Sequence, residues 1–90
     1  MLENQNIEYK TAWQDEYLKW VCGFANASGG SIFIGKDDQG KVVGIKDPKK
    51  LMEDLPNKII STMGIAIEVN LHEFQNMHFI EILVLPYSVP

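Results

Sequence analysis

The sequence predicts an α+β fold in the order β-α-ββ-α-ββ, a mixed sheet of about five strands with two helices packed on it. Three observations lead there. Trp13, Tyr17, Trp20, Val21 and Phe24 recur at helical spacing and form one broad apolar stripe. Directly after it, Ser28-Gly29-Gly30 breaks the helix and Ile32-Phe33-Ile34 follows as a short apolar run, the mark of a buried central strand. Near the C-terminal end, positions 65, 67, 69 and 71 alternate apolar with polar and Phe79 to Leu85 is nearly all apolar, so two further strands are expected to pair there.

In chain order, Ile7-Glu8-Tyr9-Lys10 alternates apolar and polar. It is expected as a half-buried strand with Ile7 and Tyr9 facing inward and Glu8 and Lys10 on the opposite face. Thr11 with Gln14 has the form of a capping box, and Asp15 and Glu16 suit the positive end of a helix dipole, so the first helix is expected to begin there. Its aromatic stripe is assigned to the core, since helical spacing is the signature of packing. After the glycine pair and the Ile32 to Ile34 strand, Asp37-Asp38-Gln39-Gly40 supplies turn formers and Val42-Val43 resumes a β-branched run. A hairpin is expected here, with Gly40 at positive φ.

Asp47-Pro48 is an N-cap followed by a first-turn proline, and Leu51, Met52, Leu55, Ile59, Ile60 and Met63 would form the inner side of the second helix. Pro56 within it predicts a kink or a break near Leu55. Gly64 ends the element. The polar stretch Glu73 to His78 is expected as a hairpin loop, and Pro86 closes the last strand.

Ninety residues with 46% hydrophobic and 22% charged content make one folded domain near the lower size limit for a self-sufficient core. The net charge of −4, with 12 acidic against 8 basic residues, works against a polyanion at long range. The distribution is uneven, however: Lys36, Lys41, Lys46, Lys49 and Lys50 fall within fifteen positions, enough for a local basic patch. A single cysteine, Cys22, excludes an internal disulfide and fits a reducing compartment. No apolar run approaches the ~20 residues of a membrane span, and the chain reads as cytoplasmic.

Glu8-Tyr9-Lys10, Phe24-Ala25-Asn26, Gly29-Gly30, Gly35, Asp38, Gly40 and Gly44, in this order and spacing, resemble the Schlafen-type AlbA-like domain. The likeness is close over residues 3 to 45 and holds in outline over 46 to 86. That family occurs in bacterial transcription regulators, helicase-related proteins and Schlafen proteins. The resemblance implies a nucleic-acid-binding module and favours DNA, while the sequence leaves DNA against RNA open. Its contacts would be Lys10, the backbone amides of Ser28, Gly29, Gly30 and Ser31, and Lys36 and Lys41. Family members continue past the equivalent of Tyr87-Ser88-Val89-Pro90 into an arginine-bearing strand, so residues 1 to 90 are expected to be the N-terminal piece of a longer protein with downstream domains. A homo-oligomer stays open.

The resemblance also carries an enzymatic alternative. In Schlafen-type nucleases two glutamates and an aspartate hold a divalent metal, and Glu3, Glu8 and Asp37 or Asp38 stand at matching positions. Such oxygen ligands suit Mg²⁺ or Mn²⁺, which would activate water for ribonuclease chemistry. Asn4 departs from the family's usual serine. Without that alternative no cofactor is expected. A third reading is a protein-interaction domain, favoured by the acidic charge and, if that strand lies at an exposed edge, by Phe79 to Leu85.

Spacing and position argue against nucleotide binding through the glycine pair. Neither Gly-x-x-x-x-Gly-Lys-Ser/Thr nor Gly-x-Gly-x-x-Gly occurs, and Gly29-Gly30 follows a helix, whose carboxyl end repels anions. His72 and His78 are expected as surface or loop residues and Cys22 as a small core group without catalytic role.

Overall fold

The computed structural model describes residues 6–64 and 67–86. Four strands and two helices follow one another as β1 (Ile7–Lys10), α1 (Leu18–Asn26), β2 (Gly30–Ile34), α2 (Pro48–Met63), β3 (Ile67–Phe74) and β4 (Met77–Val84). The strands form one mixed sheet in the order β1-β2-β4-β3, so β4, which carries Phe79 to Val84, is paired on both sides and is not the exposed edge that the protein-interaction reading looked to. β1 runs parallel to β2, whereas β2 with β4 and β4 with β3 are antiparallel. The fold is α+β as expected, with four strands where about five were expected.

The missing strand is the second arm of the Asp37 to Gly40 hairpin. Val42 makes only an isolated bridge to Lys36, because both edges of β2 are already occupied, by β1 on one side and β4 on the other. The turn itself forms, with Gly40 at φ +83 and the Gly40 amide donating to the Asp37 carbonyl. The segment then crosses the end of the sheet, where the Ile45 amide donates to the His78 carbonyl.

The core lies on one face of the sheet. Ile32, Ile34, Ile80, Ile82 and Val84 meet Val21, Phe24 and Ala25 of α1 and Leu55 and Ile59 of α2, all buried. Trp20 packs against this cluster without being buried in it, its ring 6.2 Å from that of Phe24. Phe24 meets β2 closely because of the glycine pair. Gly29 has φ +86, which reverses the chain after α1, and a Cβ on Gly30 would sit 2.7 Å from the Phe24 ring and 2.6 Å from the Asn6 carbonyl oxygen. Only a residue without a side chain allows that approach.

Three local expectations are corrected. The first helix does not start at Thr11: Gln14 is extended and makes no side-chain cap, and a 3-10 turn over Asp15–Tyr17 leads into α1 at Leu18. Trp13 therefore joins the core from a loop. β1 presents the faces opposite to those expected, since Glu8 aligns with Ile32 and Lys10 with Ile34, both core residues, leaving Ile7 and Tyr9 on the other face. Pairing with β2 decides this, and local alternation cannot. The β3–β4 connection is a two-residue turn at Gln75 and Asn76, φ +52 and +66, as a type I′ hairpin requires, so Glu73 and His78 belong to strands and not to a loop.

α2 is one continuous helix through Pro56, so of the expected kink or break, the break does not occur. Asp47 caps it by accepting from the Lys50 amide, and Gly64 in left-handed conformation ends it. Leu55 and Ile59 are buried and Leu51 and Met52 pack against the core, but Ile60 is 58% exposed. The Met63 side chain, Glu3, the Ile65 start of the third apolar run and Tyr87 to Pro90 lie outside the described residues.

Candidate nucleic-acid interface

With both helices on one face, the side chains of alternate strand residues project from the other. There Tyr9 of β1, Phe33 of β2, Phe79 of β4 and His72 of β3 form a row in the spatial order of the strands. Successive ring centroids are 5.7 Å (Tyr9 to Phe33), 6.3 Å (Phe33 to Phe79) and 5.0 Å (Phe79 to His72) apart. All four are half-buried. His72 lies nearly parallel to Phe79, at 21°, and its Nε2 stands 3.0 Å from Glu81 Oε1.

Over this row lies Lys36, the second residue after β2. Its ammonium is 4.3 Å from the Phe33 centroid, 4.5 Å from Phe79 and 5.8 Å from Tyr9, within cation–π reach of three rings. Among the described residues Lys36 makes no ion pair.

The turn that follows is built from its own side chains. Asp37 Oδ1 accepts from the Gln39 and Lys41 amides at 2.9 Å each, the local bonding that makes aspartate a turn former. A Cβ on Gly40 would be 3.1 Å from the Tyr9 ring, so the turn rests on Tyr9 and holds exposed Lys41 at the same end of the sheet as Lys36. Lys46, Lys49 and Lys50 are also exposed. Lys46 and Lys50 flank an open groove of about 470 Å³ between Trp13 and the start of α2, with Ile45, Leu51 and Asp54 on its walls.

Residues 3–87 match the family described as Schlafen, AlbA_2. The chain belongs to that family. Among solved structures, this AlbA_2 domain is similar to the N-terminal domain of a protein from Nitrosomonas europaea described as related to the ATP-dependent DNA helicase RecG. The TM-score is 0.77 at 26% identity, over 96% of this chain and 66% of that one. It shares its fold with the DIP2311 protein of Corynebacterium diphtheriae, TM-score 0.63 at 17% identity, over 96% of this chain and 19% of the other. The AlbA_2 domain thus spans just under two thirds of the first of these chains and a fifth of the second.

The site residues expected from sequence separate into three groups in the AlbA_2 domain. Lys36 and Lys41 come together on the turn. The Ser28 to Ser31 segment is largely engaged within the chain: the Gly29 amide donates to the Phe24 carbonyl at 2.8 Å and the Ser31 amide to the Asn6 carbonyl at 2.9 Å, while Asn6 Nδ2 donates to the Gly29 carbonyl. Lys10 is drawn to the helix side, with its ammonium 4.9 Å from the Tyr17 ring, 5.8 Å from Trp20 and 3.7 Å from Glu8 Oε2.

Among the described residues the candidate carboxylates form no metal-binding group of three. Glu8 lies on the helix face beside Lys10, Asp37 is committed to its turn, Asp38 is exposed, and Glu3 lies outside the described residues. No three His, Cys, Asp or Glu among the described residues are close enough to hold a metal ion, so Glu8, Asp37 and Asp38 alone do not make the divalent-metal site that the nuclease alternative needs. Cys22 is half-buried in α1, with Asn26 Nδ2 3.7 Å from its sulfur. No helix among the described residues is long and apolar enough to cross a membrane.

The aromatic row is absent from the residues singled out by sequence, although its signal was there. Phe33 alternates with Ile32 and Ile34, and Phe79 precedes the Ile80, Ile82, Val84 series. Once the isoleucines are given to the core, period-2 alternation puts the aromatics on the other face.

Proposed function

We propose that this domain binds nucleic acid, and that it does so through the end of the sheet carrying Lys36 and Lys41. The observation that carries the reading is the placement of Lys36: a cation without an ion-pair partner among the described residues, held over a half-buried aromatic row beside the turn that presents Lys41. Family membership and the likeness to a DNA-helicase-related N-terminal domain support it. In the full reading the ligand is DNA, and the domain is the cytoplasmic recognition module of a bacterial transcription regulator or helicase-related protein, with downstream domains supplying further contacts.

The net charge of −4 limits this to local electrostatics. Lys36 and Lys41 act within about one Debye length, ~8 Å at physiological ionic strength, while the acidic residues elsewhere weaken long-range attraction. Affinity is therefore modest and falls steeply with salt, because each neutralised phosphate releases counterions.

The test is a salt titration of labelled DNA and RNA, with and without Mg²⁺, Mn²⁺ or chelator, on the 90-residue chain and on Lys36→Glu/Lys41→Glu. Salt-sensitive binding that survives chelation and disappears in the double variant is expected. Metal-dependent RNA cleavage that vanishes in Glu8→Ala would replace this reading by the ribonuclease one. Absence of both would leave the protein-interaction reading.

A further inference from the structure

The open face of the sheet does more than support the turn. From its geometry we infer that Phe33, Phe79 and His72 form a stacking platform for unpaired bases, so that the ligand of this domain is a single strand. This rests on the nucleic-acid reading above and adds the substrate class to it.

A sheet face turned to water is ordinarily polar. Here three adjacent strands each place a ring on it, in one row and at one end of the sheet. The core accounts for none of them: it lies on the opposite face and its apolar cluster includes neither Phe33 nor Phe79. Tyr9, the fourth ring, is explained by the turn resting on it. The remaining three are left partly exposed, with spacings of 6.3 and 5.0 Å.

Charge selects the occupant. Lys36 stands above Phe33 and Phe79, and Lys41 follows on the turn that rests on Tyr9, at the β1 side of the row. The acidic residues of this face are Glu81, whose carboxylate is engaged by His72, and Glu68, which aligns with Leu83 toward the opposite end. An aromatic surface with cations along one border matches a strand whose bases lie on the rings and whose phosphates follow the lysines. A duplex keeps its bases stacked inside and offers no free face.

The lysine now covering the rings is a weak occupant. An exposed cation–π contact is worth a factor of about 2 to 5 in an equilibrium constant, whereas stacking a base on an aromatic side chain is worth on the order of 10- to 100-fold. A base therefore displaces the ammonium, which moves to the adjacent phosphate and gains a charge-assisted contact in exchange. Lys36 is the residue that both guards the platform and holds the strand once it is seated.

The experiment measures binding of the 90-residue chain to labelled oligo-dT and oligo-U, to the same oligomers with internal abasic sites, and to duplexes of equal length. Measurements on Phe33→Leu and Phe79→Leu accompany them. Leucine keeps the half-buried apolar packing while removing the π-face, and the thermal transition of each variant checks its fold. Expected are tighter binding of single strands than of duplex, a roughly 10- to 100-fold loss in each leucine variant, and a comparable loss with abasic strands, which reports on stacking without any change to the protein. The DNA and RNA arms separate the two sources of unpaired bases. Equal affinity for duplex and single strand, or indifference to abasic sites, overturns the platform. If Lys36→Glu/Lys41→Glu abolishes duplex binding in that case, nucleic-acid binding stands and only the stacking inference falls; if no oligomer binds, both fall.

Discussion

At the scale of single residues, the glycine pair and Phe24 decide whether the domain folds. Phe24 is buried and fills the angle between α1 and β2, so Phe24→Ala is expected to cost about 3 to 5 kcal/mol, a large share of the stability of a small domain. Unchanged chemical denaturation would remove Phe24 from the core. Gly30→Ala is expected to be destabilising by about 1 to 3 kcal/mol, because its Cβ would collide with the Phe24 ring and the Asn6 carbonyl. A denaturation midpoint equal to that of the parent would contradict that packing. A positive φ at Gly29 or Gly30 was legible in the sequence, since a helix had to stop and the chain had to turn within four residues; that it falls on Gly29 was not. The reason for Gly30 was not, because it depends on which ring the strand meets after the turn.

Among the elements, the 3-10 turn before α1 is joined to α2 by Asp15, which accepts from Trp13 Nε1 at 2.9 Å and from Lys58 Nζ at 2.9 and 3.1 Å. Hydrogen bonding from Lys58, then from Trp13, holds its carboxyl below the usual aspartate range. A carboxyl lowered on folding stabilises above its unfolded pKa of about 3.9, and this contribution is lost as pH falls through the folded value. Asp15→Asn is expected to lose that part of the acid dependence; an unchanged profile of stability between neutral and acid pH would show that the bond is not maintained in solution. Pro56 gives a second handle. It removes a helical hydrogen bond from the interior of α2, so Pro56→Ala is expected to raise stability by about 1 to 3 kcal/mol, read as a higher melting temperature. A lower one would mean that the proline ring packs better than it breaks.

Element types were mostly readable from periodicity, and the exceptions share one cause. Val42-Val43 has the composition of a strand but finds no free edge, because β4, which begins at Met77, takes the place beside β2. Ile7 and Tyr9 read as inward residues until parallel pairing with β2 sets Glu8 and Lys10 against the core. Lys10 tolerates this because its ammonium lies over the Tyr17 and Trp20 rings and beside the Glu8 carboxylate. Both outcomes are long-range choices of partner, which local patterns do not encode. The same holds for the candidate site. Lys36 and Lys41 were visible as part of a lysine-rich stretch, but the rings that give Lys36 its position come from strands widely separated in sequence.

For the whole molecule, the one-sided arrangement of helices leaves a sheet face to interact, and the lysine-bearing turn sets the polarity of that face. The acidic total charge makes the account testable, since general attraction for a polyanion cannot imitate a local site here. The most direct measurement is the affinity of the 90-residue chain for labelled single-stranded oligonucleotides as a function of salt, repeated with Lys36→Glu/Lys41→Glu. Binding whose logarithm falls linearly with the logarithm of salt concentration, and which is lost in the double variant, is the expected result. Binding that ignores salt, or that survives reversal of both charges, would contradict it.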